Sequence, residues 1–244
     1  MAEASRPRRV LVVGLGGLGC PVASVLARVP GVELWLCDDD VVELTNLHRQ
    51  TLYRDADVGL DKLDAAQAAL VRAGAAPEQL RLVRSRLLPD NARHLVSQVD
   101  LVVEGSDNFA TKFLAADAAK LEGKPIVHGA AVRLVGTAWA VAGSGTPCYR
   151  CLFEDVPPGA QQGCSEAGVL GPVVGFCGAL MADLALRVLS GDATAFGSLY
   201  TFDARHDRLR QVEAPRRLAC PLCGSSASIT EISEARYTTP SCAA

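Results

Sequence analysis

Surplus charge is what this sequence most plainly lacks: 24 basic residues against 27 acidic ones leave a net charge of only -3. Such a balance supplies no electrostatic attraction for nucleic acid or an anionic membrane surface. The arginine-rich start, Arg6 to Arg9, is too short to act as a basic arm. No stretch reads as a targeting or membrane segment, since the apolar run Val10–Val13 ends at once in glycines. Aromatic residues make up only 5% of the chain, so valine, leucine and alanine have to fill the core. With 49% hydrophobic residues in 244, that core can be large and belong to one domain.

Cysteine, by contrast, is plentiful, with nine in the chain. In a small secreted protein these would suggest disulfides, but four of them form two C-x-x-C pairs and no export signal precedes them. The pairs are Cys148-Tyr-Arg-Cys151 and Cys220-Pro-Leu-Cys223. Each has the spacing of a metal knuckle, and two knuckles supply four thiolates for a closed tetrahedral Zn²⁺ site. A redox dithiol would need only one pair. A metal held this way would clasp the C-terminal segment to the middle of the chain and points to a reducing compartment, the cytoplasm. Cys20, Cys37 and Cys177 fall in helix or strand patterns and read as buried small hydrophobes.

The first half of the chain alternates strand-like and helix-like stretches. Strands are expected at Arg9–Val13, Glu33–Cys37, Leu80–Arg84, Asp100–Glu104 and Pro125–His128, and helices at Gly17–Arg28, Leu60–Ala73 and Phe109–Leu121. This rhythm predicts a parallel sheet covered by helices on both faces. Beyond His128 it changes: Thr137–Val141 suits antiparallel pairing, Pro157–Gly168 is a polar loop, and Gly175–Leu189 is the last clear helix. Leu199–Phe202 and Arg208–Val212 are placed to form a hairpin. Residues 1–224 read as one domain, and the Ser/Thr-rich remainder, 225–244, as a poorly structured tail.

The chemistry begins at Gly14-Leu-Gly16-Gly17-Leu-Gly19, a G-x-G-x-x-G loop between the first strand and first helix. Glycine lets the backbone turn tightly and approach a phosphate closely, and the helix N-terminus favours negative charge. The loop alone also fits a tight turn with no ligand. Asp38, ending the second strand, adds an acceptor for ribose hydroxyls, and together they indicate a nucleotide. They do not choose between a dinucleotide in an oxidoreductase and a mononucleotide. The next segment, Asp38-Asp-Asp40 through Asn46-Leu-His48-Arg49-Gln50 and on to Lys62, offers cations for a triphosphate. By composition it is equally a solvated polar loop. Asp107, in Gly105-Ser-Asp107-Asn108 after another strand, is a candidate Mg²⁺ ligand, though Asp107 or Asn108 would serve as a helix N-cap. His48 reads as a polar filler and His128 as a packed strand-end residue.

Taken together, GLGGLG, Asp38, Asn46-Leu-His-Arg49-Gln50, Lys62, Ser106-Asp107-Asn108 and the two C-x-x-C pairs resemble the MoeB/ThiF/HesA adenylyltransferases, bacterial relatives of the ubiquitin-activating enzymes. The resemblance runs in one register from about Arg9 to Gly224. It implies a Rossmann-like, mostly parallel α/β sheet with an antiparallel C-terminal extension and a zinc-clasped C-terminal segment. It implies that the glycine loop, Asp38 and Asp40 hold adenosine, that Asn46, Arg49, Gln50 and Lys62 surround the phosphates of ATP, and that Asp107, beside Asn108, binds Mg²⁺. Arg49, Lys62 and Asp107 would carry the reaction.

The implied reaction is adenylation of the C-terminal glycine of a small β-grasp sulfur carrier ending in Gly-Gly, within a homodimer. Sulfur would come from a separate donor such as a cysteine desulfurase or rhodanese. Cys164, matching a cysteine that links covalently to the carrier in some relatives, is an accessory candidate for an acyl-disulfide or thioester. The family's N-terminal arginine motif, which reaches into the partner's site, has no clear counterpart, Arg6, Arg8 and Arg9 being the available substitutes. The chain ends Ser241-Cys242-Ala-Ala rather than Gly-Gly, so it is not expected to be its own carrier. An NAD-dependent oxidoreductase and a non-catalytic carrier-binding homologue are the competing readings.

Overall fold

Short β-branched runs build the centre of the molecule because both of their faces are covered. In the computed structural model, which describes residues 6–156 and 168–237, β1 (Arg8–Val13) pairs in parallel with β2 (Val32–Asp38) and with β4 (Leu101–Glu104). Val10, Leu11, Val12, Leu101, Val102 and Val103 are fully buried, as near-continuous apolar strands of a two-sided sheet must be. On one side β3 (Leu80–Arg84) extends the sheet; on the other come β5 (Ile126–Val132), β6 (Val135–Val141), β7 (Ser198–Asp203) and β8 (Arg208–Glu213). The spatial order is β3-β2-β1-β4-β5-β6-β7-β8, parallel through β5 and antiparallel beyond it. This is the mixed architecture expected from the sequence. The exposed outer strand β8 carries Arg208, Arg210 and Glu213, charges that protect an edge from further pairing.

Two helical layers cover the sheet. The first holds α1 (Gly19–Leu26), α2 (Lys62–Arg72) and a long helix at Gly171–Leu189 that we label α6. The second holds α3 (Ala92–Ser97), α4 (Phe109–Leu121) and α5 (Tyr149–Phe153). By length and composition alone α6 could cross a bilayer. Here it lies against β5, β6 and α1, with Val173, Val174, Cys177, Met181 and Leu184 buried in the core, which accounts for its apolarity.

Element boundaries shift where local geometry intervenes. Helix α1 starts at Gly19 rather than Gly17, the preceding residues forming the turn out of β1. Helix α6 starts at Gly171, four positions ahead of expectation, with Pro172 in its first turn where a missing N–H is harmless. Strand β5 runs to Val132 because it pairs along its whole length with β6. Helices α3 and α5 were not anticipated; at six and five residues they are too short to show a period.

Behind the second layer, the segment after Gly224 holds one described helical turn, Glu234–Arg236, and two buried anchors. Ile229 packs against the four paired cysteines, and Tyr237 enters the core beside α4. Between Ser225 and Tyr237 only Ile229 and Tyr237 are buried, and most of the other residues are exposed.

Candidate active site

The strand order reverses between β1 and β4, and in an open parallel sheet the crevice at the C-terminal ends of such strands is where ligands bind. A cleft of about 690 Å³ opens there. Gly14, Gly16, Gly17, Asp38, Asp40, Asn46, Arg49, Gln50, Lys62, Asp107 and Asn108 all line it. Sequence positions spread from the end of β1 to the start of α4 are thus brought to one surface by topology.

Two glycines are required by close packing. A Cβ on Gly14, whose φ is +85°, would sit 3.3 Å from the Ser106 backbone, so the glycine loop and the Gly105–Asp107 turn rest directly on each other. Gly19 does not line the cleft; a Cβ there would strike the Gly14 carbonyl, so it serves the turn itself. Asp38 stitches this loop to β2: its Oδ2 accepts from the Leu15 N–H at 2.6 Å and its Oδ1 from the Asp40 N–H at 2.9 Å. Burial raises the Asp38 pKa, against the opposing pull of Lys62 and the Leu15 N–H. Asp38 is thus chiefly a loop anchor, while Asp40, with a half-exposed side chain, presents the freer carboxylate.

Lys62 stands at the start of α2, whose N-cap Asp61 accepts from the Leu63 and Asp64 N–H groups. Its Nζ lies 2.9 Å from Asp40 Oδ2 and 3.9 Å from Asp38 Oδ1, so the cation expected at the phosphates is held by the two acids expected at the sugar. Burial alone would raise the Asp40 pKa, but Lys62 and then Arg86 outweigh it and lower it. Arg49 is steadied by Asn46, whose Oδ1 accepts from its Nη2 at 2.7 Å, and Asn46 in turn donates to Glu43. Gln50 is almost fully buried on the cleft wall, and its Oε1 has no partner among the described residues. A buried amide oxygen of this kind fits a ligand that supplies a donor, as a nucleotide does.

Asn108 caps α4 through a 2.8 Å bond from the Thr111 N–H, the structural role foreseen for it. Asp107 is left exposed at the cleft, outside that cap. A single carboxylate here suits Mg²⁺, which takes one or two protein oxygens and completes its shell with phosphate and water.

Arg86 and Lys112 also line the cleft, and Glu104 bonds to Lys112; no motif marks any of the three. Arg86, just past β3, pairs with Asp39 at 2.8 Å and Asp40 at 3.3 Å. Glu104, at the end of β4, is completely buried; it accepts from the Ser106 N–H at 2.7 Å and from Lys112 Nζ at 2.9 Å. Burial would raise its pKa, yet Lys112 and His128 lower it. Lys112 also donates to the Gly129 carbonyl at 2.5 Å, tying α4 to β5. The C-terminal-end rule for parallel strands was the signal that could have drawn attention to Arg86 and Glu104. His128, expected to end its strand, instead lies within β5, which continues to Val132; it is buried beside Glu104, and burial lowers its pKa.

Away from the cleft, Cys148, Cys151, Cys220 and Cys223 bring their sulfurs together. The S–S separations are 3.9 Å for Cys148–Cys151, 3.5 Å for Cys148–Cys220 and 3.4 Å for Cys151–Cys223. A tetrahedral metal with bonds of about 2.3 Å sets its sulfurs about 3.8 Å apart, so the tetrad fits such an ion closely. All four are buried, and the clasp spans 72 residues between Cys148 and Cys220. Burial opposes ionisation of Cys220, but the Cys223 and Leu222 N–H groups bring its pKa down to about 7. Burial pushes Cys20 and Cys37 up to about 12 and Cys177 to about 11, as befits packing residues. Cys164 lies outside the described residues.

Sheet and cleft define a two-sided α/β protein with a ligand crevice at its switch point. The chain belongs to the ThiF family, whose pattern it matches over residues 3–222. It is 41% identical over 218 residues to the SAMP-activating enzyme E1 of Haloferax volcanii, covering 88% of this chain and 80% of that protein. It is 40% identical over 228 residues to the adenylyltransferase and sulfurtransferase MOCS3 of Sus scrofa, covering 92% of this chain but 50% of the relative. The chain therefore spans about half the length of the MOCS3 proteins it matches. The crystal structure of E. coli MccB with ATP shares the fold, with a TM-score of 0.76 at 20% identity over 90% of this chain and 67% of that one.

Proposed function

We propose that the chain is an adenylyltransferase that activates the C-terminal glycine carboxylate of a small ubiquitin-like sulfur carrier with ATP. The observation that carries this reading is the convergence of the glycine loop, Arg49, Lys62 and Asp107 on one cleft in a ThiF-family chain. The names of two relatives, a SAMP-activating enzyme and an adenylyltransferase and sulfurtransferase, support the same chemistry.

In this mechanism the triphosphate lies along the glycine loop, with the adenosine toward Asp38 and Asp40. The carrier carboxylate attacks the α-phosphorus in line; a carboxylate–phosphorus bond forms as the bond to the β-phosphate oxygen breaks, and pyrophosphate leaves. The nucleophile is already ionised above a pKa of about 4, so no general base is required. Arg49 and Lys62 offset charge on the phosphates, and Asp107 would hold Mg²⁺, which would supply further positive charge there. The acyl-adenylate then passes to a separate sulfur donor such as a cysteine desulfurase or rhodanese. The cysteine tetrad would hold Zn²⁺ as a structural ion, consistent with a reducing, cytoplasmic setting. We assign residues 1–224 to this catalytic domain and expect it to act as a homodimer.

The test is carrier-dependent ATP–pyrophosphate exchange with a panel of small β-grasp proteins ending in Gly-Gly. Exchange with at least one carrier, abolished by Asp107→Ala, is the expected result. Nucleotide binding without exchange for any carrier would instead favour a carrier-binding homologue, and preference for NAD over ATP would favour an oxidoreductase.

A further inference from the structure

We propose that a small cavity on the α4–α5 side of the sheet is a binding site for one buried water, which accepts a hydrogen bond from the Trp139 indole and donates one to His128. The site is separate from the cleft, although Ala130 lines both, and it stands whatever ligand the cleft takes.

His128 on β5, Trp139 on β6 and Leu199 on β7 stand directly opposite one another across the ladder, so their side chains share one face of the sheet. Tyr149 of α5 packs over them, its ring centroid 4.7 Å from that of His128 and 4.7 Å from that of Phe153. These residues, with Ala130 and Thr137, line a cavity of about 20 Å³. Holding one water takes about 10–15 Å³, so the space suits a single molecule. His128 and Trp139 are only 4% and 2% exposed, and neither His128 Nε2 nor Trp139 Nε1 has a hydrogen-bond partner among the described residues. With centroids 6.3 Å apart, the two rings do not bond each other.

Where the protons sit decides what can fill the space. Trp139 Nε1 carries a hydrogen and can only donate. Burial lowers the His128 pKa below 6.5, so at neutral pH the ring is uncharged and one of its nitrogens bears the proton. Burial also opposes the charge on Glu104, but Lys112 and His128 outweigh it, so Glu104 Oε2, 3.4 Å from Nδ1, is an acceptor. The proton therefore belongs on Nδ1, and Nε2 presents a lone pair. One buried nitrogen needs an acceptor and the other a donor, and leaving either without a partner is costly. A carbonyl oxygen serves only the first and an ammonium only the second. Water serves both. Glu104 also accepts from Lys112, which donates to the Gly129 carbonyl and lines the cleft. The water thus completes a polar chain from Trp139 through His128 and Glu104 to the cleft wall.

The experiment is a crystal structure of the full chain at a resolution that shows ordered water, joined to long-range proton–nitrogen NMR correlation on histidine-labelled protein to locate the His128 proton. One ordered water within hydrogen-bond reach of both His128 Nε2 and Trp139 Nε1, with the ring proton on Nδ1, is the expected result. Trp139→Phe deletes the indole donor and keeps an aromatic ring; it should lose that water while His128 keeps its proton on Nδ1. A dry cavity, a protein group filling it, a direct Trp139–His128 bond or a proton on Nε2 each overturns the proposal, and each is read on the wild type, so none depends on the variant folding. A water that persists unchanged in Trp139→Phe overturns the pairing with Trp139.

Discussion

The Tyr237 hydroxyl donates a 2.8 Å hydrogen bond to Asp117 Oδ2, joining residues 120 positions apart in the buried interior. Asp117 is also gripped by Arg150, whose Nε and Nη2 lie 2.8 and 2.9 Å from its oxygens. Asp117 belongs to α4 and Arg150 to α5, between the first two paired cysteines, so the bond pins the C-terminal segment to the helix that begins beside Asp107. Tyr237→Phe keeps the packing and deletes one bond to a charged group. We predict a loss of about 1.5–3 kcal/mol in unfolding free energy by urea denaturation. A change under a few tenths would mean that the C-terminal segment contributes no stability through this bond.

The cysteine tetrad gives a second prediction. Four buried sulfurs at metal-compatible separations make the clasp a closed site, with no position left for substrate. The purified chain should contain one zinc ion by elemental analysis, and strong chelation should lower its thermal midpoint. Cys220→Ser should reduce zinc content and loosen residues 214–237, visible as faster amide hydrogen exchange there, with the sheet strands β1 and β4 least affected.

How far the sequence could be read depended on where the information was stored. Strands β1, β2 and β4 and helix α4 were legible because covering both faces of a strand demands mostly apolar residues, and because α4 has a clear cap at Asn108. The short helices α3 and α5 left no periodic trace. In the cleft, the residue types were legible but their pairing was not. Lys62 and Asp40 could be assigned to phosphate and sugar separately; their 2.9 Å contact arises from a ladder formed by two loops. Glu104 and Lys112 were passed over because a glutamate ending one strand and a lysine inside a helix become partners only when α4 folds back over β4.

That pair supplies a third prediction. Glu104 and Lys112 are both nearly inaccessible and 2.9 Å apart. Replacing Glu104 with Gln leaves a buried ammonium with only the Gly129 carbonyl and a neutral amide, a loss of about 3–5 kcal/mol. Combining it with Lys112→Met removes the stranded charge and should recover much of that loss. Urea denaturation of both single variants and the double variant measures the coupling. Strict additivity would show that the ion pair contributes nothing beyond its separate side chains.

His128 provides the test that depends on pH. Burial is the largest influence on it and lowers its pKa below the ordinary 6.5, even though Glu104, 3.4 Å from Nδ1, favours the charged form. The folded protein therefore holds fewer protons on this ring than the unfolded chain does once the pH drops below about 6.5. Its stabilising contribution is present above that value and is lost as pH falls toward the lowered folded pKa. Glu104, also lowered in the folded state, acts in a separate window below about 4.3, where its unfolded counterpart protonates. Thermal midpoints measured between pH 7 and pH 5 should fall on acidification in the wild type. In His128→Gln, which carries no titrating ring, the curve should be flatter across that range. An equal decline in both proteins would assign the pH sensitivity to groups other than His128.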